Sequence, residues 1–242
     1  MIFFRKKRLK HPDFSAIEID MHSHLLPAID DGSQSVEESV VLIKELQALG
    51  FSDLITTPHS MQEIHPNTDD SIKKAHTSLK KVMPSGVTLR ASSEYYLDEH
   101  FYKQVAAQAL LPMPGNRILV EFSQVTRPNE LEQQFFNLAL QGYQVILAHP
   151  ERYMFLHRDF NFYKRLKDME IEFQVNALSF TKYYGDKVKA VAEKLVDMDM
   201  IDFFGTDTHN MRHIEALKTV PQSKHFQKLM DSGLLRNNSL KA

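Results

Sequence analysis

The chain has 242 residues, 43% of them hydrophobic, which is enough for one globular domain or one α/β barrel. Its formal net charge of −2 argues against a nucleic-acid-binding surface, because such a surface needs an excess of basic residues. The lack of cysteine excludes disulfides, thiolate metal sites and cysteine nucleophiles. No apolar run approaches the ~20 residues of a membrane span, so we expect a cytoplasmic protein.

The first residues do not have the order of a signal peptide, since a basic block follows a short apolar start. We predict that residues 1–16 form an N-terminal extension and that residues 17–242 form a single barrel domain. Phe3 and Phe4, next to the basic cluster, leave open a contact with a membrane surface.

The stretch IEIDMHSHLLPAIDDG, which begins at Ile17, is the most informative part of the chain. Ile17, Ile19 and Met21 alternate with polar residues, which is the pattern of a β-strand with one apolar face. His22 and His24 then point to the same side with Cα atoms about 6.6 Å apart. Two imidazoles at that separation can bind one metal ion.

Short apolar strands and amphipathic helices alternate along the rest of the chain. After the first strand, strands are expected at Leu54–Thr57, Val87–Ala91, Ile118–Phe122, Val145–Ala148, Ile171–Val175 and Ile201–Gly205. Helices are expected at 36–49, from Asn67 or Thr68 to Val82, at 101–109, from Pro128–Asn129 to Gly142, at 160–169 and at 188–195, with one or two short helices at the end.

This alternation predicts a parallel sheet, because short strands without polar alternation are buried on both faces and are connected by helices. Both an open doubly wound sheet and a closed barrel satisfy the alternation. Polar residues follow nearly every strand, however, and a barrel brings all carboxyl ends of its strands around one mouth. We therefore predict an α/β fold of seven strand–helix units in a closed or nearly closed barrel, similar to a TIM barrel.

Five histidines and four carboxylates lie at these strand ends or in the first loop. They are His22, His24, Asp31, His59, Glu94, Glu121, His149, Asp207 and His209. Nitrogen and carboxylate ligands without sulfur suit zinc, manganese or iron. Because one ion takes about four to six ligands, nine ligands predict two or three ions.

Seven segments carry a resemblance to a known family: IDMHSHLLPAIDDG, ITTPH, SSEYYLD, LVEF, LAHPER, QVNALSF…YYG and GTDTHN, in this order. Together they resemble the PHP (polymerase and histidinol phosphatase) superfamily. More narrowly, they resemble the metal-dependent bacterial protein-tyrosine phosphatases that are encoded with capsule and exopolysaccharide synthesis.

The resemblance implies the PHP form of the barrel, which is a distorted (β/α)7 barrel. It also implies three metal ions, with manganese as the first choice and iron, zinc and cobalt as alternatives. By motif position, the ligand groups are His22, His24, Glu94 and Asp207 for the first ion, Glu94, Glu121 and His149 for the second, and Asp31, His59 and His209 for the third. Arg152 matches the family's phosphate-binding arginine. Ile214 stands where relatives often have a second arginine, and Arg212 and His213 are candidates to replace it.

The function that the resemblance implies is hydrolysis of phosphotyrosine on the tail of an exopolysaccharide- or capsule-synthesis tyrosine kinase. The expected mechanism is attack of a metal-bound hydroxide on phosphorus. Two alternatives stay open: a small-molecule phosphomonoesterase of the histidinol-phosphatase type, and a non-catalytic binding module stabilised by metal.

Overall fold

The computed structural model describes residues 9–241, and their centre is a parallel β-sheet curled into a barrel. The strands are β1 (Ile19–Asp20), β2 (Asp53–Thr56), β3 (His59–Ser60), β4 (Thr88–Ala91), β5 (Glu94–Tyr96), β6 (Arg117–Glu121), β7 (Gln144–Ala148), β8 (Glu172–Asn176) and β9 (Phe203–Gly205). The α-helices are α1 (Val36–Ala48), α2 (Asp69–Lys80), α3 (Glu99–Ala106), α4 (Leu131–Leu140), α5 (Phe160–Asp168), α6 (Asp186–Asp197), α7 (Met211–Leu217) and α8 (Lys224–Ser232).

All strand pairs of these sheets are parallel, which confirms the predicted α/β barrel. Strands β1-β2-β4 form one sheet and β3-β5-β6-β7-β8-β9 form the other. The second and third predicted strands end at Thr56 and Ala91, within one residue of their predicted ends. Each is followed by a short further strand: β3 after Pro58, which has no N–H for the ladder, and β5 after Ser92 and Ser93. These two short strands pair directly, with His59 opposite Glu94.

The barrel closes between its first and last strands at the carboxyl end. Ser23 forms a parallel bridge with Thr208, and the Asp207 N–H donates to the His22 carbonyl at 2.7 Å. Below this bridge, the Thr206 hydroxyl donates to the buried carboxylate of Asp20 at 2.6 Å. Burial raises the pKa of Asp20 to about 6. Closure therefore fixes His22 beside Asp207, although the two residues are far apart in sequence.

Two boundaries differ from the prediction for local reasons. The first strand is shorter than the alternation from Ile17 suggests, because Glu18 has a φ of 63° and β1 begins only at Ile19. The third helix begins at Glu99 with Asp98 as its cap and ends at Ala106, not at Ala109. It stops there because Gln108 has a left-handed φ of 52°.

Apolar side chains fill both the barrel and the space between the barrel and its helices. Inside the barrel, a compact cluster that includes Ile19, Met21, Leu119, Ile146 and Phe203 is almost fully buried. This packing closes the barrel below its carboxyl end. The polar mouth is therefore a pocket with an apolar floor and not a channel.

The region before the barrel packs onto it where it is described. Phe14 is fully buried and stacks on Phe51 with ring centroids 5.1 Å apart. The domain boundary at residues 16 and 17 stays a prediction, and the suggested membrane contact through Phe3 and Phe4 lies outside the described residues. Within residues 9–241, no helix has the length and apolar character needed to cross a membrane.

Candidate metal centre

The structure brings all nine predicted ligands together at the carboxyl mouth of the barrel. Three overlapping groups of side chains have donor atoms close enough to hold an ion. The first group is His22, His24 and Asp207, the second is His59, Glu94 and Glu121, and the third is His24, Asp31, His59 and His209. Glu94 also faces the first group, and His149 joins the second, since its Nε2 lies 2.9 Å from Glu94 Oε1. His149 and Asp207 have left-handed φ values of 34° and 52°, so the chain turns sharply where β7 and β9 deliver these ligands.

The first group is the most deeply buried. The Nε2 atoms of His22 and His24 lie 3.3 Å apart, although they come from a stretch that is only partly β-strand. Glu94 Oε2 is 3.1 Å from His22 Nε2, and Asp207 Oδ1 is 3.2 Å from His24 Nε2. Four donor atoms thus converge on one point. The spacing of the two histidines predicted their common direction, and the resemblance implied the two carboxylates.

Glu94 connects the first group to the second. Its Oε2 faces His22 and also lies 3.2 Å from His59 Nδ1, whereas its Oε1 faces His149. Glu121 Oε1 lies 2.9 Å from the same His59 nitrogen. A carboxylate with its two oxygens turned toward different imidazoles has the arrangement of a bridging ligand.

The third group lies nearest the solvent. Asp31 Oδ1 is 3.5 Å from His59 Nε2 and 3.3 Å from His209 Nε2. His59 therefore presents one nitrogen to the second group and the other to the third. The ring of His209 also stacks on that of His24 with centroids 3.9 Å apart, so the third group adjoins the first as well.

The charges in the pocket favour cations. Burial alone would raise the pKa of Glu94, but the imidazoles of His22 and His59 outweigh burial and hold this pKa well below its usual range. Burial would likewise lower the pKa of His59, but Glu94 and other carboxylates raise it to about 9. Protons on the imidazoles and divalent ions thus compete for the same places.

The residues present fit divalent metal ions. The donors are nitrogen and oxygen atoms without sulfur, the set that zinc, manganese and iron accept. Among the described residues, the buried atoms His59 Nδ1 and Glu94 Oε2 lie 2.9–3.2 Å from other donor atoms of the cluster but form no hydrogen bond. Buried polar atoms are rarely left unpaired in folded proteins, and a divalent ion at this place would satisfy both.

Hydrogen bonds that the sequence did not reveal orient the first two histidines. His22 Nδ1 donates to Gln174 Oε1 and His24 Nδ1 donates to Asp30 Oδ2, each at 2.8 Å. Each bond places the proton on Nδ1 and leaves the Nε2 lone pair facing the ligand group. The sequence signal that could have indicated this role is the position of Gln174, a polar residue in the middle of a strand that is buried throughout.

Asp207 is held by a similar set of bonds. Gln174 Nε2 donates to Asn176 Oδ1 at 3.0 Å, and Asn176 Nδ2 donates to Asp207 Oδ2 at 2.6 Å. Arg152 Nη1 donates to the same Asp207 oxygen at 3.0 Å. With Oδ2 occupied twice, the other oxygen of Asp207 remains for the ligand group.

Arg152 lies beside the predicted ligands, in a cavity of about 390 Å³. Its guanidinium lies over the ring of Tyr184 at 4.6 Å, an arrangement that a cation–π attraction stabilises. The hydroxyl of Tyr184 is buried and has no hydrogen-bond partner among the described residues. The ring, and not the hydroxyl, is therefore the part of Tyr184 that positions Arg152.

The two candidates for a second phosphate-binding residue differ in position. His213 lines the cavity, and its Nδ1 lies 2.9 Å from the Asp207 carbonyl oxygen. Arg212 is exposed on α7 and is not among the residues that line the cavity. The geometry therefore favours His213.

The fold and the site together are those of α/β barrel proteins that can bind metal ions through histidines and carboxylates at the carboxyl ends of their strands. Within that class, this chain belongs to the capsular polysaccharide synthesis family CpsB/CapC, whose family model matches residues 18–238. The membership confirms the narrower of the two resemblances in the sequence.

Named relatives and a solved structure agree with this assignment. The chain is 28% identical over 198 residues to tyrosine-protein phosphatase YwqE of Bacillus subtilis, covering 80% of this chain and 78% of the relative. It is 24% identical over 202 residues to tyrosine-protein phosphatase CpsB of Streptococcus pneumoniae, covering 80% and 83%. It also matches a solved structure with a TM-score of 0.79 and 26% identity, covering 90% of this chain and 94% of the other; that structure comes from work on YwqE and CpsB as unique metal-dependent tyrosine phosphatases.

Replacing Gln174 with alanine should weaken metal binding. The variant loses the acceptor for His22 Nδ1, and loss of such an orienting bond typically costs about 10- to 100-fold in metal affinity. Calorimetric titration of the apoprotein with Mn²⁺ measures the change. Gln144→Ala is the matched control, because the Gln144 side chain donates to the Glu170 carbonyl at the start of β7, away from the ligand groups. Unchanged affinity in the folded Gln174 variant would contradict the orienting role.

Proposed function

We propose that this protein is a metal-dependent phosphatase that hydrolyses phosphotyrosine on proteins. The observation that carries the proposal is the buried cluster of histidines and carboxylates with Arg152 beside it, in a chain of the CpsB/CapC family. The names of the relatives, tyrosine-protein phosphatases, supply the substrate class.

The protein would bind two or three divalent ions, with manganese as the first choice. We assign His22, His24, Glu94 and Asp207 to the first ion, Glu121 and His149 with the shared Glu94 to the second, and Asp31, His59 and His209 to the third. When bound, such ions would supply positive charge for the phosphoryl oxygens and lower the pKa of water to about 7.

The chain's own residues would bind and orient the phosphate. Arg152 has one nitrogen engaged with Asp207, and its other N–H groups remain to donate to phosphoryl oxygens in a planar geometry. The ring of Tyr184 packs against the Arg152 guanidinium and would keep it in this orientation. His213 lines the same cavity next to the Asp207 carbonyl, and it would add a further polar contact to the phosphate.

The partner that we propose is the tyrosine-phosphorylated tail of a kinase of capsule or exopolysaccharide synthesis. The family description connects the chain to that synthesis. Because a protein-tyrosine kinase uses cytoplasmic ATP, we propose that the phosphatase also acts in the cytoplasm.

His22→Ala should lose both metal and activity. The imidazole belongs to the most buried ligand group, and loss of electrostatic stabilisation at a catalytic centre typically costs about 100-fold or more. The measurements are elemental analysis of the purified protein and phosphate release from a phosphotyrosine peptide, with and without a chelator. His225→Ala on α8 is the control, since His225 pairs only with surface carboxylates.

Three results would contradict the proposed function. Phosphate release that is insensitive to chelator would exclude metal dependence. Faster turnover of histidinol phosphate than of the peptide would indicate the small-molecule phosphomonoesterase. Stoichiometric peptide binding without phosphate release by the metal-loaded protein would indicate a binding module.

Tyr184 should act on substrate binding through Arg152. Tyr184→Phe keeps the ring and removes a buried hydroxyl that has no partner, so its KM should stay within about twofold of the wild type. Tyr184→Leu removes a cation–π contact of about 0.5–2 kcal/mol, so its KM should rise by roughly 2- to 30-fold. Steady-state kinetics on a phosphotyrosine peptide separate the two variants, and equal KM values for both would contradict the positioning role.

A further inference from the structure

The connections around the barrel mouth expose apolar side chains. Five of them, each following a different strand, have between 37% and 65% of their surface exposed: Ile64, Val125, Met154, Tyr183 and Met211. Connections that follow the strands of a parallel barrel lie at its carboxyl end, around the active site. An apolar rim around a polar pocket suits a polypeptide surface better than a small, fully polar metabolite.

One part of this rim is a groove of about 500 Å³ between α6 and the short 3-10 turns after β7. Its apolar lining comes from Met154 and Phe155 of these turns and from Ala190 and Val191 of α6. The groove is tied to the catalytic cavity by the backbone. Met154 follows Arg152 by two residues, and its N–H donates at 2.8 Å to the carbonyl of Gln124, which lines that cavity.

The two charged residues that line the groove are both basic. Arg158 and Lys187 both line it and are exposed, and neither forms an ion pair within the part of the chain that the structure describes. The adjacent carboxylates are engaged elsewhere: Asp159 accepts the Phe162 N–H at 3.0 Å, and Asp186 pairs with Lys182 at 2.8 Å. Two cations beside an apolar wall therefore remain free for a partner.

We propose that this groove binds the segment of the substrate protein next to the phosphotyrosine, and that it selects segments with carboxylate side chains. The carboxylates would contact Arg158 and Lys187, and an apolar side chain of the same segment would pack on Met154 and Phe155. The inference rests on the proposed phosphatase function and adds a sequence preference to it. Charge complementarity is its basis, since the groove offers two cations and no carboxylate of its own.

The test compares three phosphotyrosine peptides that differ only in acidic, neutral or basic flanking residues. The double variant Arg158→Glu/Lys187→Glu should raise KM for the acidic peptide by about tenfold, because two attractive charge contacts become repulsive. It should lower KM for the basic peptide and leave kinetics on p-nitrophenyl phosphate unchanged. The control Lys44→Glu/Lys74→Glu makes the same change in net charge on exposed sites of α1 and α2, and it should alter none of these values.

Ionic strength gives a second readout. The wild-type KM for the acidic peptide should rise with salt, because screening weakens exposed attractive charge pairs. In the double variant this KM should fall with salt, because the same screening weakens the repulsion. Equal KM values for all three peptides in wild type and variant would overturn the proposal. A fourth peptide carries a second phosphotyrosine in its flank. If the double variant raises KM for this peptide only, and not for the peptide with flanking carboxylates, the proposal would be overturned as well.

A binding measurement keeps the groove separate from catalysis. The acidic peptide with phenylalanine in place of phosphotyrosine should shift the methyl NMR signal of Met154 in the wild type, and more weakly in the double variant. If phosphatase activity is absent but this shift occurs, the proposed function is wrong, whereas binding of an acidic segment in the groove is supported. If the enzyme is active and the Met154 signal does not respond, only the proposal for the groove is contradicted.

Discussion

The central constraint in this structure is the burial of Glu94 and Asp207 among imidazoles. Both carboxylates are almost fully shielded from solvent, and their oxygens face His22, His24, His59 and His149 instead of water. A buried charge is tolerated only when opposite charge and hydrogen bonds compensate it. Arg152 supplies part of that compensation to Asp207. The remaining positive charge at the barrel mouth must be carried by protonated histidines or by metal ions.

The barrel makes that concentration of charge possible because it fixes ligands from distant parts of the chain. The seam between the first and last strands sets His22 beside Asp207, and it needs a small residue at 205. A Cβ at Gly205 would lie 2.6 Å from the Cβ of His22 and 2.8 Å from Gln174 Nε2. Since no single segment contains a whole ligand group, metal binding requires the closed barrel, and bound metal would in turn stabilise it.

Much of this site could be predicted from the sequence because strand ends are local features. Apolar runs that stop at His59, Glu121, His149 and Asp207 already place those side chains at one rim of a parallel barrel. The spacing of His22 and His24 indicates a common direction. The family membership of the chain agrees with the resemblance that the motifs carry. The assignment of individual ligands to ions stays a prediction.

Other features depend on long-range packing that the sequence does not display. Asp30 and Asp31 are adjacent and chemically alike, yet Asp30 turns inward to His24 and Asp31 turns outward to His209. Gln174 reaches His22 only because β8 and the first strand meet across the barrel interior. The contact between Tyr184 and Arg152 likewise joins two separate connections, one after β7 and one after β8. The local sequence around either residue therefore does not indicate this contact.

The most direct test of the metal centre is X-ray diffraction from crystals grown with Mn²⁺, measured for anomalous scattering. The account predicts anomalous peaks at the barrel mouth, one of them between the two Nε2 atoms of His22 and His24 and the carboxylate of Glu94. A well-ordered crystal form with full Mn²⁺ in the solution and no anomalous peak within coordination distance of Glu94 would contradict it.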